Sequence, residues 1–128
     1  MRFNFKLVDR KNYSYLNIQG KPSDLIIPAF KFISINDCRA VNFTKTGFGD
    51  THMQALCDYL EREIDPPSLY SIVLDKTDIT DEGMKILAKT LKKNKTVAHL
   101  SFKGCKLLTD EGLKAIYEVM SNSNMHLF

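Results

Sequence analysis

Apolar residues along this chain recur at two spacings that take turns. At Ile72 and Leu74 they alternate with small or polar neighbours, the period of a half-buried strand. Beyond them the period becomes helical: Met84, Leu87, Ala88 and Leu91 stand at i, i+3, i+4 and i+7, one stripe of an α-helix. The same switch carries Leu100 into the stripe Leu113, Ile116, Tyr117 and Met120. It also carries Val41 and Phe43 into Met53, Leu56, Cys57 and Leu60. Each unit reads strand, short loop, helix.

The units are copies of one another. Leu69-Tyr70-Ser71-Ile72-Val73-Leu74-Asp75-Lys76-Thr77 leads to Ile79-Thr80-Asp81-Glu82-Gly83-Met84. Val97 to Cys105 leads likewise to Leu108-Thr109-Asp110-Glu111-Gly112-Leu113. The anchors Leu69, Ile72 and Leu74 recur 28 residues on at Val97, Leu100 and Phe102, and Met125 and Phe128 lie another 28 beyond the first two of these. Stepping back 31 gives Cys38, Val41 and Phe43, and a further 25 gives Tyr13, Leu16 and Ile18. Self-similarity at this period predicts a solenoid, whose units bury their apolar faces only against neighbours.

The expected organisation is an arm with a degenerate first repeat or cap over residues 1–37, then repeats over 38–128. These divide as 38–68, 69–96 and 97–124, with a strand stub at 125–128. Residues 1–12 are expected as a strand or extended arm, and Lys21-Pro22-Ser23-Asp24 as a turn. Leu25 to Ile35 carries two patterns, Ile26, Phe30 and Ile33 at helical spacing and Lys31, Ile33 and Ile35 in alternation. A helix starting near Pro28 and capping the open end is expected, because proline is tolerated in a first turn. Pro66-Pro67 accounts for the longer first spacing as a loop insertion.

Helix starts are chemically marked. Thr80 and Thr109 suit the N-cap, where a hydroxyl oxygen accepts from an orphan N–H. Asp81-Glu82 and Asp110-Glu111 set negative charge against the positive end of the helix dipole. Gly83 and Gly112 are expected to let helix and sheet approach closely. The first clear unit reads Gly49-Asp50-Thr51-His52, with Asp50 as candidate cap and His52 in glycine's place. Asn94 and the Asn122–Asn124 region supply helix-ending residues.

These residues resemble a leucine-rich repeat protein. The pattern L-x-x-L-x-L-x-x-T/C followed by I/L-T-D-E-G is similar to the long, helix-containing class typified by ribonuclease inhibitor. The resemblance covers residues 38–128 well and 13–36 poorly. It implies an α/β right-handed solenoid of about 3–4 repeats, with a parallel sheet on the concave face and helices on the convex face. The chain departs from the family at the usual asparagine or cysteine ladder position, held here by Thr46, Thr77 and Cys105. Those groups can still bond loop backbone.

Composition adds limits. An apolar share of 44% and a charged share of 26% are ordinary for a soluble domain, and 128 residues make one domain. No apolar run approaches the ~20 residues of a membrane span, and Met1 to Lys6 lacks a signal-peptide core. Cys38, Cys57 and Cys105 fall on inward positions and form no CxxC, as expected in a reducing, cytoplasmic compartment; a mitochondrial one is the alternative. A net charge of +3, with Lys85, Lys89, Lys92, Lys93 and Lys95 on one helix face and exit loop, lacks the interleaved aromatics of a nucleic-acid surface. His52, His99 and His126 join no catalytic or metal-binding motif, and Gly47-Phe48-Gly49 reads as a turn rather than a phosphate loop. The paired carboxylates of Thr-Asp-Glu-Gly are accounted for by helix capping. No enzyme, metal or cofactor is expected.

What remains is the solvent side of the strands. If Ile72 and Leu74 point inward, Ser71, Val73 and Asp75 point out. The same register exposes Ala40, Asn42 and Thr44 on one side, and His99, Ser101 and Lys103 on the other. Two rows are expected, Asn17–Asn42–Val73–Ser101 and Gln19–Thr44–Asp75–Lys103, with few surface aromatics and a weak Asp75–Lys103 pair. The expected function is a non-catalytic scaffold binding a protein partner through Asn42, Thr44, Ser71, Val73, Asp75, His99, Ser101 and Lys103. The open C-terminal end is the other candidate surface, for a homodimer or larger assembly; nucleic acid and membrane are not expected partners. Gly104-Cys105 through Leu113 is also similar to the cysteine-containing repeats of F-box substrate adaptors, although no F-box segment is recognisable in residues 1–37. The chain's size resembles the mitochondrial ATP synthase coupling factor B family, implying an assembly subunit. Ran GTPase-activating proteins share the repeat class, but no residue here matches their role.

Overall fold

The computed structural model describes residues 7–9, 14–63, 67–120 and 126–127. Six short strands form one sheet in sequence order: β1 (Leu7–Asp9), β2 (Ser14–Asn17), β3 (Ala40–Asn42), β4 (Ser71–Val73), β5 (His99–Ser101) and β6 (His126–Leu127). β1 runs antiparallel to β2, and every later pair is parallel. Each parallel step is bridged by a helix: α1 (Ile26–Asn36), α2 (Asp50–Leu60), α3 (Asp81–Leu91) and α4 (Asp110–Met120). All four helices are 11 residues long, about 16 Å, so they lie side by side as a second layer. α1 begins two residues before Pro28, which occupies its third position, where no intrahelical N–H is needed.

Sheet register follows the anchors. Leu16, Val41, Ile72 and Leu100 are paired in one row across β2–β5, and all four are fully buried. Ile18, Phe43 and Leu74 form the next buried row, while Phe102 is only partly covered. At the last strand Leu100 pairs with Leu127, so the step is 27 residues and not the expected 28. The expectations for Tyr13, Pro66, Asn122–Asn124, Met125 and Phe128 lie outside the described residues.

Helix stripes close the core from the other side. Met53, Leu56, Cys57 and Leu60 of α2 and Met84, Leu87, Ala88 and Leu91 of α3 are all buried as expected. α4 differs: Ile116 is buried, but Leu113 and Met120 are half-buried and Tyr117 is 53% exposed. The reason is positional, since among the described residues no helix packs on α4's outer side. Phe48, expected only in a turn, is fully buried, its ring 5.1 Å from Phe43 and 6.4 Å from Phe30. The loop after β3 folds this residue between sheet and helices.

The strand exits repeat too. Gly20 (φ 74°), Lys45 (φ 57°), Lys76 (φ 54°) and Gly104 (φ 70°) all sit two residues past the second anchor, in the left-handed region. One turn shape is therefore used four times, twice by glycine and twice by lysine at some strain. Next to it, the Thr46 and Thr77 hydroxyls donate to the carbonyls of Phe43 (2.6 Å) and Leu74 (2.7 Å). Cys105 Sγ donates across the repeat to Leu74 O at 3.1 Å.

Candidate interaction surface

The row Asn17, Asn42, Val73 and Ser101 exists in the register expected. Its exposure is uneven. Asn42, Ser71, Val73, Asp75 and His99 are half-buried and Lys103 is exposed, whereas Thr44 and Ser101 are buried. Neighbouring side chains cover those two hydroxyls. Thr44 Oγ1 and its backbone N–H both donate to Asn42 Oδ1, at 2.5 and 2.9 Å. Ser101 Oγ donates to Asp75 Oδ1 at 2.6 Å. Asp75 also accepts the backbone N–H of Lys103 at 2.8 Å, so its partner is Lys103's main chain and not the expected ammonium. Asp75 is a strand-to-strand tie before it is a contact for anything else.

An aromatic feature stands on a face where few aromatics were expected. Tyr70, just before β4, is 40% exposed and meets His99 of β5 edge to face, with ring centroids 4.7 Å apart. The tyrosine hydroxyl and His99 Nε2 are 2.8 Å apart. On its other side the Arg39 guanidinium lies 5.6 Å from the Tyr70 ring centroid, within reach of a cation–π contact. Three residues from three successive units thus form one aromatic and cationic patch at the strands' N-terminal ends. The sequence signal was present as Arg39, Tyr70 and His99 at nearly equal spacing, but Tyr70 precedes the alternating run and escapes a period-two count.

The helix N-termini hold the densest polar network, and it runs between repeats. Asp50, first residue of α2, accepts the backbone N–H of Thr80 at 3.0 Å, and the Thr80 hydroxyl bonds its other oxygen. Thr80 therefore makes no side-chain cap to its own helix. One repeat on, Asp81 of α3 accepts from Thr109 N (2.9 Å), Thr109 Oγ1 (2.5 Å) and Gly112 N (3.1 Å). Thr109 keeps one local bond as well, accepting from Glu111 N at 3.3 Å. The Thr109 hydroxyl, then its backbone N–H, hold the Asp81 carboxyl below the ordinary carboxylate range.

These contacts replace the expected reason for Gly83 and Gly112. A Cβ on Gly83 would overlap Asp50 Oδ1, and one on Gly112 would overlap Asp81 Oδ1 and come 3.1 Å from Asp81 Cα. The glycines admit the previous helix's aspartate, not the sheet. In α2 the pattern begins: His52 Nδ1 accepts the N–H of Gly49 at 2.9 Å, closing its own helix end. Asp50 caps the next helix rather than its own.

The helix surface is less basic than the count of lysines implies. Lys85 Nζ lies 2.6 Å from Glu111 and 3.4 Å from Glu82, and the Glu111 bond holds its ammonium above the usual range. Cys38, Cys57 and Cys105 are buried free thiols, and burial pushes the Cys57 thiol up, away from reactive thiolate. Among the described residues no three His, Cys, Asp or Glu side chains gather as a metal site. No described helix is long and apolar enough to cross a membrane.

Short parallel strands in sequence order, each joined to the next by an equal helix with one turn shape at the exit, define a class. Residues 93–116, from just after α3 into α4, match the family model described as Leucine Rich repeat. This stretch is similar to leucine-rich repeats, a class that generally mediates protein–protein contacts and is typically non-catalytic. No curated protein matches the chain.

Proposed function

We propose that this chain is a non-catalytic scaffold that binds a protein partner on the solvent side of its sheet. The coil is right-handed, as βαβ crossovers almost always are, with the sheet concave and the helices convex in the long, ribonuclease-inhibitor-like manner. Its units divide at 38–68, 69–96 and 97–124. The observation that carries the reading is the Arg39–Tyr70–His99 patch, because tyrosine and arginine are enriched among residues that dominate binding energy. Ser71, Val73 and Lys103 extend the surface along β4 and past the end of β5, while Thr44, Asp75 and Ser101 hold its shape. Short strands tied to a packed core present these groups with little ordering cost. Three buried thiols suit a reducing, cytoplasmic setting.

The test starts from a partner captured by a photo-crosslinker placed at Val73 and absent when it is placed at Lys89 on α3. Tyr70→Ala should then weaken that partner's affinity at least tenfold, about 1.4 kcal/mol or more. Lys103→Glu should shift the association rate and its salt dependence. Unchanged affinity for Tyr70→Ala and Lys103→Glu together, with unfolding unaltered, removes the concave face from the proposal.

A further inference from the structure

The aspartate-to-threonine contact is made twice inside the chain and left open a third time. Asp50, Asp81 and Asp110 are each the first residue of their helix. Asp50 receives the N-terminus of α3, and Asp81 that of α4. Asp110 is exposed, and among the described residues no donor reaches its carboxylate within hydrogen-bonding distance.

The surface below Asp110 is unfinished in the same sense. Met84, Ala88 and Leu91 are buried in α3, which packs against α4. Their equivalents in α4, 29 residues on, are Leu113, Tyr117 and Met120; the first and last are half-buried and Tyr117 is 53% exposed. A shallow groove lined by Asp110, Leu113, Lys114, Tyr117 and Glu118 runs along this side. Lys114 corresponds to Lys85, which bonds Glu111 of the following helix at 2.6 Å.

We propose that this groove docks a helix N-terminus of a partner protein bearing the sequence Thr-x-Glu-Gly. Asp110 accepts from the threonine and glycine N–H groups, and Lys114 pairs with the glutamate. The occupant's chemistry follows from what Asp81 and Lys85 already hold: Thr109, Glu111 and Gly112. Charge is complementary, since a carboxylate meets the positive end of a helix and an ammonium meets an acid. A second copy of this chain does not supply the motif. Its two Thr-Asp-Glu-Gly segments are already engaged by Asp50 and Asp81, and the residues at the threonine's position before α1 and α2 are Leu25 and Gly49. This site goes beyond the concave-face proposal and does not depend on it.

The probe is a synthetic peptide with the sequence of residues 97–120, titrated by fluorescence anisotropy into the full chain. It should bind saturably and lose roughly tenfold in affinity when its glycine at 112 is leucine, since the side chain would occupy the carboxylate's place. Asp110→Asn in the full chain should give a similar loss while the native circular-dichroism spectrum is retained, the lost helix-dipole charge costing only about 0.3–1 kcal/mol of stability. Lys114→Glu should weaken binding and be rescued by a peptide carrying Glu111→Lys. Absence of saturable binding, or equal affinity for the glycine and leucine peptides, overturns the proposal. So does sedimentation showing a dimer that Tyr117→Lys dissolves, which would assign the groove to a second copy.

Discussion

Single residues in this protein act on the next repeat as much as on their own. Asp81 is the clearest case, since Thr109 and Gly112 hold its carboxylate in the charged form and its pKa is lowered. A group whose folded pKa lies below its unfolded value, about 3.9 for aspartate, stabilises fully above that value. The contribution fades as pH falls through the depressed folded value. The unfolding midpoint of Asp81→Asn should therefore lie below wild type near neutrality, with the gap narrowing from about pH 4 downward. A gap that stays constant from neutrality to pH 2 would show that ionisation of Asp81 contributes nothing. Thr80, Asp81, Gly83 and their copies were visible in the sequence as a helix start. Their partner was not, because the bond joins residues 28 to 31 apart in sequence and depends on how closely two helices lie. A clue did exist: an aspartate at the first helical position of one unit accompanies a glycine at the third position of the next.

Elements are joined by residues at their ends. Asn94, expected to end a helix, does more than that. Its Oδ1 accepts the N–H groups of Thr96 and Val97, both at 2.9 Å, where the chain leaves α3 for β5. Its Nδ2 donates to Leu60 O of the preceding repeat's helix at 3.2 Å. Asn94→Ala removes the partner of three donors, the Thr96 hydroxyl included, and one acceptor in a half-buried place and should cost about 1–3 kcal/mol in urea unfolding. A loss under about 0.5 kcal/mol would mean that water replaces all four bonds. Strand and helix types, order and burial stripes were legible because period two and period 3.6 sample different faces. Phe48 was not, since a lone apolar residue between two glycines carries no period. Only the closed loop shows it wedged against Phe30 and Phe43.

In the molecule as a whole, stability is a sum over neighbours. α2 and α3 are each flanked by helices on both sides, and α4 on one side among the described residues. Hydrogen exchange should accordingly be at least tenfold faster for buried amides of α4 than for those of α3, and equal protection would argue for one uniform cooperative unit. The stripe containing Tyr117 was read as buried because periodicity reports which face of a helix is apolar, not whether anything covers it. The sequence by itself determined the repeat, its strand–helix order, the inward anchors and the register of β2 to β5, since these depend on spacing along one chain. Tertiary structure decided which polar groups remain available. Thr44, Asp75 and Ser101 are consumed in ties, Arg39, Tyr70 and His99 are gathered into a patch, and Asp110 stands where no described helix follows. Those outcomes rest on distances between units, fixed by how closely the helices and strands pack and by no property of a single segment.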